Sequence, residues 1–350
     1  MAKFNLRLYG LNCGLSLILL SLLSGCEPIL VPKSVPIQAT ISKEPRPTFP
    51  VGTQLIVEPY AHATPYLHAI AAARSRIDVE MYELTDFQVE QALMNAALRG
   101  VQVRVLLDKH PYDTNPARVA QTANRLQQGG VQVRFAPSRF PYDHAKTMVV
   151  DGKVAFIGSA NFTYSGLDTN REYDVETSDA AVAAAVSAVF EADWTGQKAG
   201  IGPCKSIVLS PGAQAVLLPF MAAAKSTLDV ETEEVPDAQV AHVLETDAHR
   251  GVNVTLIEAE TNETDHGWGA RELANLAKQG VHVEILHRPY LHAKLILADG
   301  QAFIGSENLS APSLERNREV GIFLSNSELV EQLRQQFDSD SAVALAPNRV

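Results

Sequence analysis

Cysteine is scarce: the 350 residues contain three, Cys13, Cys26 and Cys204. So few, with no Cys-x2-Cys pair, exclude a disulfide scaffold and a thiolate zinc site as the basis of the fold. His-x3-His pairs and acidic calcium loops are missing too, so spacing offers no metal site. His282, His287 and His292 lie five apart, which sets consecutive members on opposite faces of a strand. Cations are in deficit, with 29 Lys and Arg against 40 Asp and Glu and a formal net charge of −11. Non-specific nucleic-acid binding needs a basic footprint, so this balance argues against it. The long apolar run over 11–23 is short for a membrane span. What remains is globular, 46% hydrophobic and 20% charged, with length for two domains that each bury a core.

The start of the chain reads as an address. Lys3 and Arg7 precede the apolar run, which ends in Leu23-Ser24-Gly25-Cys26. That ending resembles the lipobox of bacterial lipoproteins, which implies a signal peptide over 1–25, removed before an acylated Cys26. The expected location is extracytoplasmic and membrane-anchored, on the periplasmic side or at the outer membrane; Glu27 after the cysteine favours the latter. Cys13 would leave with the signal, and Cys204 is expected to be a buried packing residue. Residues 26–50 hold Pro28, Pro32, Pro36, Pro45, Pro47 and Pro50 and read as an extended tether.

From about residue 52 the chain repeats itself. Strands over 54–57, 76–82 and 101–107 alternate with helices over 64–73 and 86–99. The second half answers with strands over 206–209, 227–233 and 252–258 and helices over 213–225 and 237–250. Each half continues through a helix (117–128; 270–279) and a strand (131–135; 281–286) into a hairpin. Residues 51–200 and 201–340 are thus expected to be tandem domains, with a tail over 341–350. Strand–helix alternation makes each an α/β layered domain.

The hairpins carry one signature twice. P-Y-D-H-A-K-T-M-V-V-D-G contains His144, Lys146 and Asp151; P-Y-L-H-A-K-L-I-L-A-D-G contains His292, Lys294 and Asp299. Each leads into A-F-I-G-S-x-N, with Ser159 and Asn161 or Ser306 and Asn308, and then N-R-E, ending in Glu172 or Glu319. Histidine can take a covalent bond or pass a proton, Lys and Asn can hold an oxyanion, and Glu can orient a histidine. One His-x-Lys on a strand is ordinarily a polar face; two copies with matched Ser, Asn and Glu make one site with a nucleophile and a proton donor. The expected chemistry is phosphodiester cleavage. Asp151 and Asp299 sit in Asp-Gly turns and read as structural. Ser159 and Ser306 either lie near substrate phosphate or cap a strand end, and glycine before them would permit close approach to a phosphate.

The duplicated His-x-Lys-x4-Asp with Gly-Ser-x-Asn resembles the phospholipase D superfamily, over essentially the whole chain from 51 to about 340. Copy two is one residue shorter between its aspartate and glycine. The resemblance implies two α-β-α sandwiches about a pseudo-twofold axis with one active site between them. It implies a double displacement without metal or other cofactor: His144 forms a phosphohistidine, His292 protonates the leaving alcohol, and Lys146, Lys294, Asn161 and Asn308 cradle the phosphoryl oxygens. It further implies that each acid serves the other half's histidine, Glu319 on His144 and Glu172 on His292.

The leading expectation is a monomeric phospholipase D that hydrolyses the distal phosphodiester of a glycerophospholipid, releasing phosphatidic acid and an alcohol. Alternatives are transphosphatidylation to an alcohol acceptor, as in cardiolipin synthases, an extracytoplasmic endonuclease of the same superfamily, and a catalytically dead lipid-binding lipoprotein. Glu231, Glu233 and Glu234, opposite Tyr82, are expected to make one side of the mouth acidic and to favour a cationic headgroup. The loops 109–115 and 261–269 are expected at the rim.

Overall fold

The computed structural model describes residues 52–112, 114–233, 237–260 and 269–346. Cys26, the expected signal and tether, Glu234 and nearly all of the loop from 261 fall outside these. The first half runs β1 (Thr53–Glu58), α1 (Thr64–Ala72), β2 (Arg76–Met81), α2 (Phe87–Leu98), β3 (Gln102–Leu107), α3 (Pro116–Gln128) and β4 (Gln132–Phe135). It continues through the hairpin β5 (Lys146–Val150) and β6 (Val154–Gly158), then α4 (Tyr164–Asp168), β7 (Asn170–Thr177) and α5 (Ala180–Thr195). The second half repeats the order: β8 (Ile207–Ser210), α6 (Gln214–Ala222), β9 (Thr227–Thr232), α7 (Ala238–His249), β10 (Asn253–Ala259), α8 (Gly269–Lys278) and β11 (His282–Leu286). A two-residue strand β12 (Tyr290–Leu291) precedes the hairpin β13 (Leu295–Ala298) and β14 (Gln301–Gly305), and α9 (Ala311–Glu315), β15 (Glu319–Leu324) and α10 (Ser327–Ser341) close the chain.

Local chemistry explains the helix starts. Asp86, Asn115, Asp179, Asp237 and Asn326 each accept a first-turn backbone N–H through the side chain, the N-cap function of short polar residues. The two sheets then share one strand order, β1-β7-β6-β5-β2-β3-β4 and β8-β15-β14-β13-β9-β10-β11. Parallel neighbours β2, β3 and β4 come from the strand–helix alternation; the rest of the sheet is antiparallel because hairpins build it.

Three apolar layers hold these parts. Leu93, Leu126 and Phe156 lie in the core that α1, α2 and α3 form with the first sheet. Leu217, Leu244 and Phe303 hold the equivalent outer core of the second. Between the sheets, Val186 and Val189 of α5 and Leu333 and Phe337 of α10 join strand residues of both halves in one core, which Cys204 also enters. The fold is thus a duplicated α/β sandwich with its sheets facing inward.

The strand β7, the helices α5 and α10, and β15 were not foreseen, and they are the parts that cross between halves. β12, from the second half, pairs in parallel with the start of β7: Tyr290 lies opposite Asn170 and Leu291 opposite Arg171. Asp143 makes the matching bridge to Arg318. Arg171 donates to Asp340 of α10 at 2.6 and 3.0 Å and to the Glu58 carbonyl at 2.5 Å. Arg318 donates to Asp193 of α5 at 2.7 and 3.3 Å and to the Ser210 carbonyl at 2.7 Å.

Asp151 and Asp299 do more than turn the chain. Both have left-handed backbone, φ 54° and 52°. The Asp151 carboxylate accepts the N–H groups of Arg74, Ser75 and Arg76, and Asp299 those of Lys225, Ser226 and Thr227. Each clamps the hairpin to the start of β2 or β9.

Many carboxyls are sealed inside. Burial pushes Glu58, Asp143 and Glu231 up to about 8, and Asp174 and Glu176 to about 7. An acid with a raised folded-state pKa holds more protons folded than unfolded, so its stability is full below about 4 and is lost as pH rises toward the folded value. Burial pulls His144 down to about 4, which has the opposite sign and adds stability as pH rises from there to about 6.5. Lys146, lowered to about 7, adds stability only above that value. Five carboxyls against one imidazole and one ammonium decide the direction. The melting temperature should fall as pH rises from about 5.5 to about 8; a flat or rising profile contradicts this.

Candidate active site

His144 and Lys146 are two residues apart where β5 begins, so their side chains share a face. The His144 N–H donates to the Arg318 carbonyl at 2.8 Å, while the Arg318 N–H donates to the Tyr142 carbonyl at 2.9 Å. The second copy repeats this, with the His292 N–H donating to the Arg171 carbonyl at 3.2 Å. Each histidine backbone therefore rests on the N-R-E strand of the opposite half.

Alternation along that strand turns the next residue the other way, and the glutamate reaches the ring. His144 Nδ1 lies 2.8 Å from Glu319 Oε2, and His292 Nδ1 lies 2.9 Å from Glu172 Oε2 and 2.7 Å from its Oε1. Both glutamates are fully buried. Ser313 and Asn317 also donate to Glu319, and Asn170 to Glu172. This is the crosswise pairing the resemblance implies. A carboxylate on Nδ1 places the N–H there and leaves Nε2 toward the cavity.

That cavity measures about 500 Å³ and is lined from both halves, by His144, Asn161 and Tyr82 on one side and His292, Asn308 and Glu233 on the other. Lys146 and Lys294 are buried beneath it, each ammonium donating to its own histidine's carbonyl. Burial, with Lys294 close by and only partly offset by Glu319, lowers Lys146 to about 7. Burial also outweighs Glu319 to hold His144 near 4, so its imidazole is neutral at neutral pH. Burial would raise Glu319, but His144, Lys146 and Ser313 bring it below the usual carboxylate range. A neutral imidazole, two amides and two ammonium groups about one cavity suit an arriving phosphoryl anion.

Other expectations change. Ser159 and Ser306 are fully buried, and their hydroxyls accept the N–H of Tyr173 and Val320. The strand-end contact is the one present, and neither serine lines the cavity. Gly158 is required by β7: a side chain there would strike the Asp174 carboxylate and the Tyr173 carbonyl. The acidic strand end splits. Glu231 is fully buried within β9 near Asp340 and Tyr173, and Glu233, past the end of that strand, enters the site instead of facing a headgroup at the mouth. Tyr82 spends its face on Lys146, 4.9 Å from the ring centre. Tyr112 does reach the cavity wall from the loop 109–115. His282, His287 and His292 do not converge, each pairing with its own carboxylate: Glu284, Glu260 and Glu172. The positioning parts missed from sequence are Arg171, Arg318, Asp193 and Asp340; the arginines were visible in the repeated N-R-E, but their partners lie in helices with no shared motif.

Known proteins give the same outline. The family described as cardiolipin synthase, PLD-like domain, matches residues 66–194 and 217–341. Cardiolipin synthase A of Yersinia pseudotuberculosis serotype O:1b is 27% identical over 315 residues, covering 77% of this chain and 65% of that protein. The chain thus spans about two-thirds of the length of this relative. Among solved structures, phosphatidylserine synthase of Haemophilus influenzae superposes with a TM-score of 0.61 at 14% identity, covering 82% of this chain and 85% of that one. Polyphosphate kinase of Porphyromonas gingivalis gives 0.63 at 16%, covering 82% and 50%. At such identities these two show the fold alone.

The lowered Lys146 makes anion binding proton-linked. An anion in the cavity favours the ammonium, so above about pH 7 each binding event must take up a proton. Affinity for dimethyl phosphate, whose own charge is fixed, should weaken by up to about tenfold per pH unit from pH 7.5 to 9, as read by calorimetry. Affinity constant over that range contradicts the lowered lysine.

Proposed function

The chain belongs to the phospholipase D superfamily, and on that premise we propose that it is a phosphatidyl-transferring phosphodiesterase acting on glycerophospholipids. One observation carries the proposal: two histidines, each tied at Nδ1 to the other half's glutamate, share one cavity with two asparagines above two buried lysines. Such a set supports two displacements in sequence. His144 Nε2 bonds to phosphorus as the bond to the leaving oxygen breaks, and a proton from His292 Nε2 goes to that oxygen. An acceptor hydroxyl then gives its proton to His292, its oxygen bonds to phosphorus, and the phosphorus–nitrogen bond breaks. Lys146, Lys294, Asn161 and Asn308 carry the non-bridging charge.

An alcohol acceptor is favoured over water by the 27% identical relative, whose name, cardiolipin synthase, describes transfer. Hydrolysis is what the same intermediate undergoes when water arrives first. A nucleic-acid strand is disfavoured by the net charge of −11 and by Glu83 and Glu233 in the cavity wall, which would repel flanking phosphates.

Product analysis decides. With phosphatidylglycerol vesicles the protein should form cardiolipin and glycerol, and added ethanol should divert product to phosphatidylethanol. A chelator should leave the rate unchanged, because lysines and asparagines take the phosphoryl charge. Phosphatidic acid as sole product with ethanol present would return the reading to hydrolysis, and faster cleavage of single-stranded DNA than of any lipid would overturn it.

A further inference from the structure

The halves match so closely that a mismatch at one equivalent position is informative. Glu80 lies opposite Thr147 and Met81 opposite Lys146, and in the second sheet Glu231 lies opposite Leu295. By that register Tyr82 and Glu233 hold the same place, just past the strand end beside the site lysine. Tyr82 meets the His144 ring edge-on, with centres 4.5 Å apart at 75°. Glu233 instead puts Oε2 3.2 Å from Lys294 Nζ and 3.4 Å from His292 Nε2, while its Oε1 accepts from the Tyr290 hydroxyl at 3.1 Å. His, Lys, Asn and the crosswise Glu are the same in both halves; this position is not.

The difference falls on protonation. His292 has a carboxylate at each ring nitrogen, Glu172 at Nδ1 and Glu233 at Nε2. A neutral imidazole owns one N–H and can donate to only one of them, whereas the imidazolium donates to both. Among the described residues Glu319 is the only carboxylate paired with His144. The charged groups around His292 are Glu172 from β7, Glu233 beyond β9 and Lys294 two residues along its own segment, with Lys146 and His144 facing from the other half. Two carboxylates thus stand directly on His292, and the Lys146 ammonium is shared among Glu319, Glu172 and Glu233.

We propose that Glu233 is a positioning residue that keeps a proton on His292 Nε2, making His292 the acid of the first displacement and leaving His144 as the nucleophile. The proposal rests on the double displacement above and explains why a near-symmetric site runs in one direction. Burial would raise the Glu233 carboxyl, but His292 and Lys294 outweigh it and bring it to about 2, so its charge is present throughout the working range. At 3.4 Å the contact to Nε2 is longer than a good hydrogen bond, so a leaving oxygen entering beside Glu233 can take the proton.

The test is Glu233→Gln in the full chain, which removes the charge and keeps an oxygen for Lys294. Two dioctanoyl substrates share a phosphatidyl group: phosphatidylglycerol, whose alkoxide must be protonated to leave, and phosphatidyl-p-nitrophenol, whose phenolate leaves unaided. Loss of acid catalysis should lower kcat on the first by about 100-fold or more and on the second by less than about 10-fold. The descending limb of the phosphatidylglycerol pH profile should move to lower pH, and Glu233→Asp should restore most of both. Equal loss on both substrates with an unmoved pH profile overturns the proposal, as does a gain on both, which would make Glu233 a plug over the phosphate position. A parent that cleaves neither lipid counts against the phosphatidyl reading alone. The same variant is then compared on bis(p-nitrophenyl) phosphate and a dialkyl phosphate, with the same two outcomes.

Discussion

In each half a buried arginine reaches past its own sheet to an aspartate on the closing helix of the other half, and the rest of the molecule is organised by that exchange. Arg171 holds Asp340, and Arg318 holds Asp193. Stripping one partner from such a buried pair costs on the order of 3–5 kcal/mol, because the remaining charge has no water to turn to. The same arginines offer their carbonyls to the backbone of His292 and His144, and the residues after them, Glu172 and Glu319, bind the rings. Three consecutive features of one strand therefore join the halves, place the histidine backbone and fix its tautomer. A site assembled this way exists only when both halves are docked.

Around that lock the interior is rich in acid yet contains few charges. Burial raises Glu58, Asp143 and Glu231 to about 8 and Asp174 to about 7, so near neutral pH much of this acid is uncharged. Charge is retained on the arginine pairs, on the crosswise glutamates and on Glu233, where it joins the halves or steers a proton. Lys146 and Lys294 sit beneath the cavity, and burial lowers Lys146 to about 7 until an anion arrives. Electrostatic stabilisation of this kind is strong because the groups are fixed before the substrate binds.

How much of this could be read from sequence differs by element. The duplicated signature located both histidines, lysines and asparagines, since identical spacing in two copies leaves little freedom. Alternation over 101–107 and the helical stretches 86–99 and 237–250 revealed the βα units from local pattern alone. The crossing elements were harder. Strand β7 carries Glu172, Asp174 and Glu176, three acids that all end up buried, so hydropathy gave no inward face. Helix α5 has an exposed face, but Ala181, Ala184 and Ala188 occupy much of it, so the sequence shows no amphipathic period. Glu231 and Glu233, two apart, would share a face of a continued strand, but β9 ends at Thr232 and Glu233 leaves that alternation for the site. Tyr82 and Glu233 stood out in the sequence as a feature of the mouth, but the register was needed to show them at equivalent places beside the two site lysines.

If His144 takes the phosphoryl group and then yields it to the acceptor while His292 moves the protons, the reaction is two in-line displacements at one phosphorus. The most direct measurement is the stereochemical course with a P-chiral phosphorothioate diester and an alcohol acceptor, read by phosphorus NMR of the product. Two displacements invert the centre twice, so the account predicts retention of configuration. Inversion would mean that the acceptor attacks phosphorus directly, with no phosphohistidine, and would contradict the account at its centre.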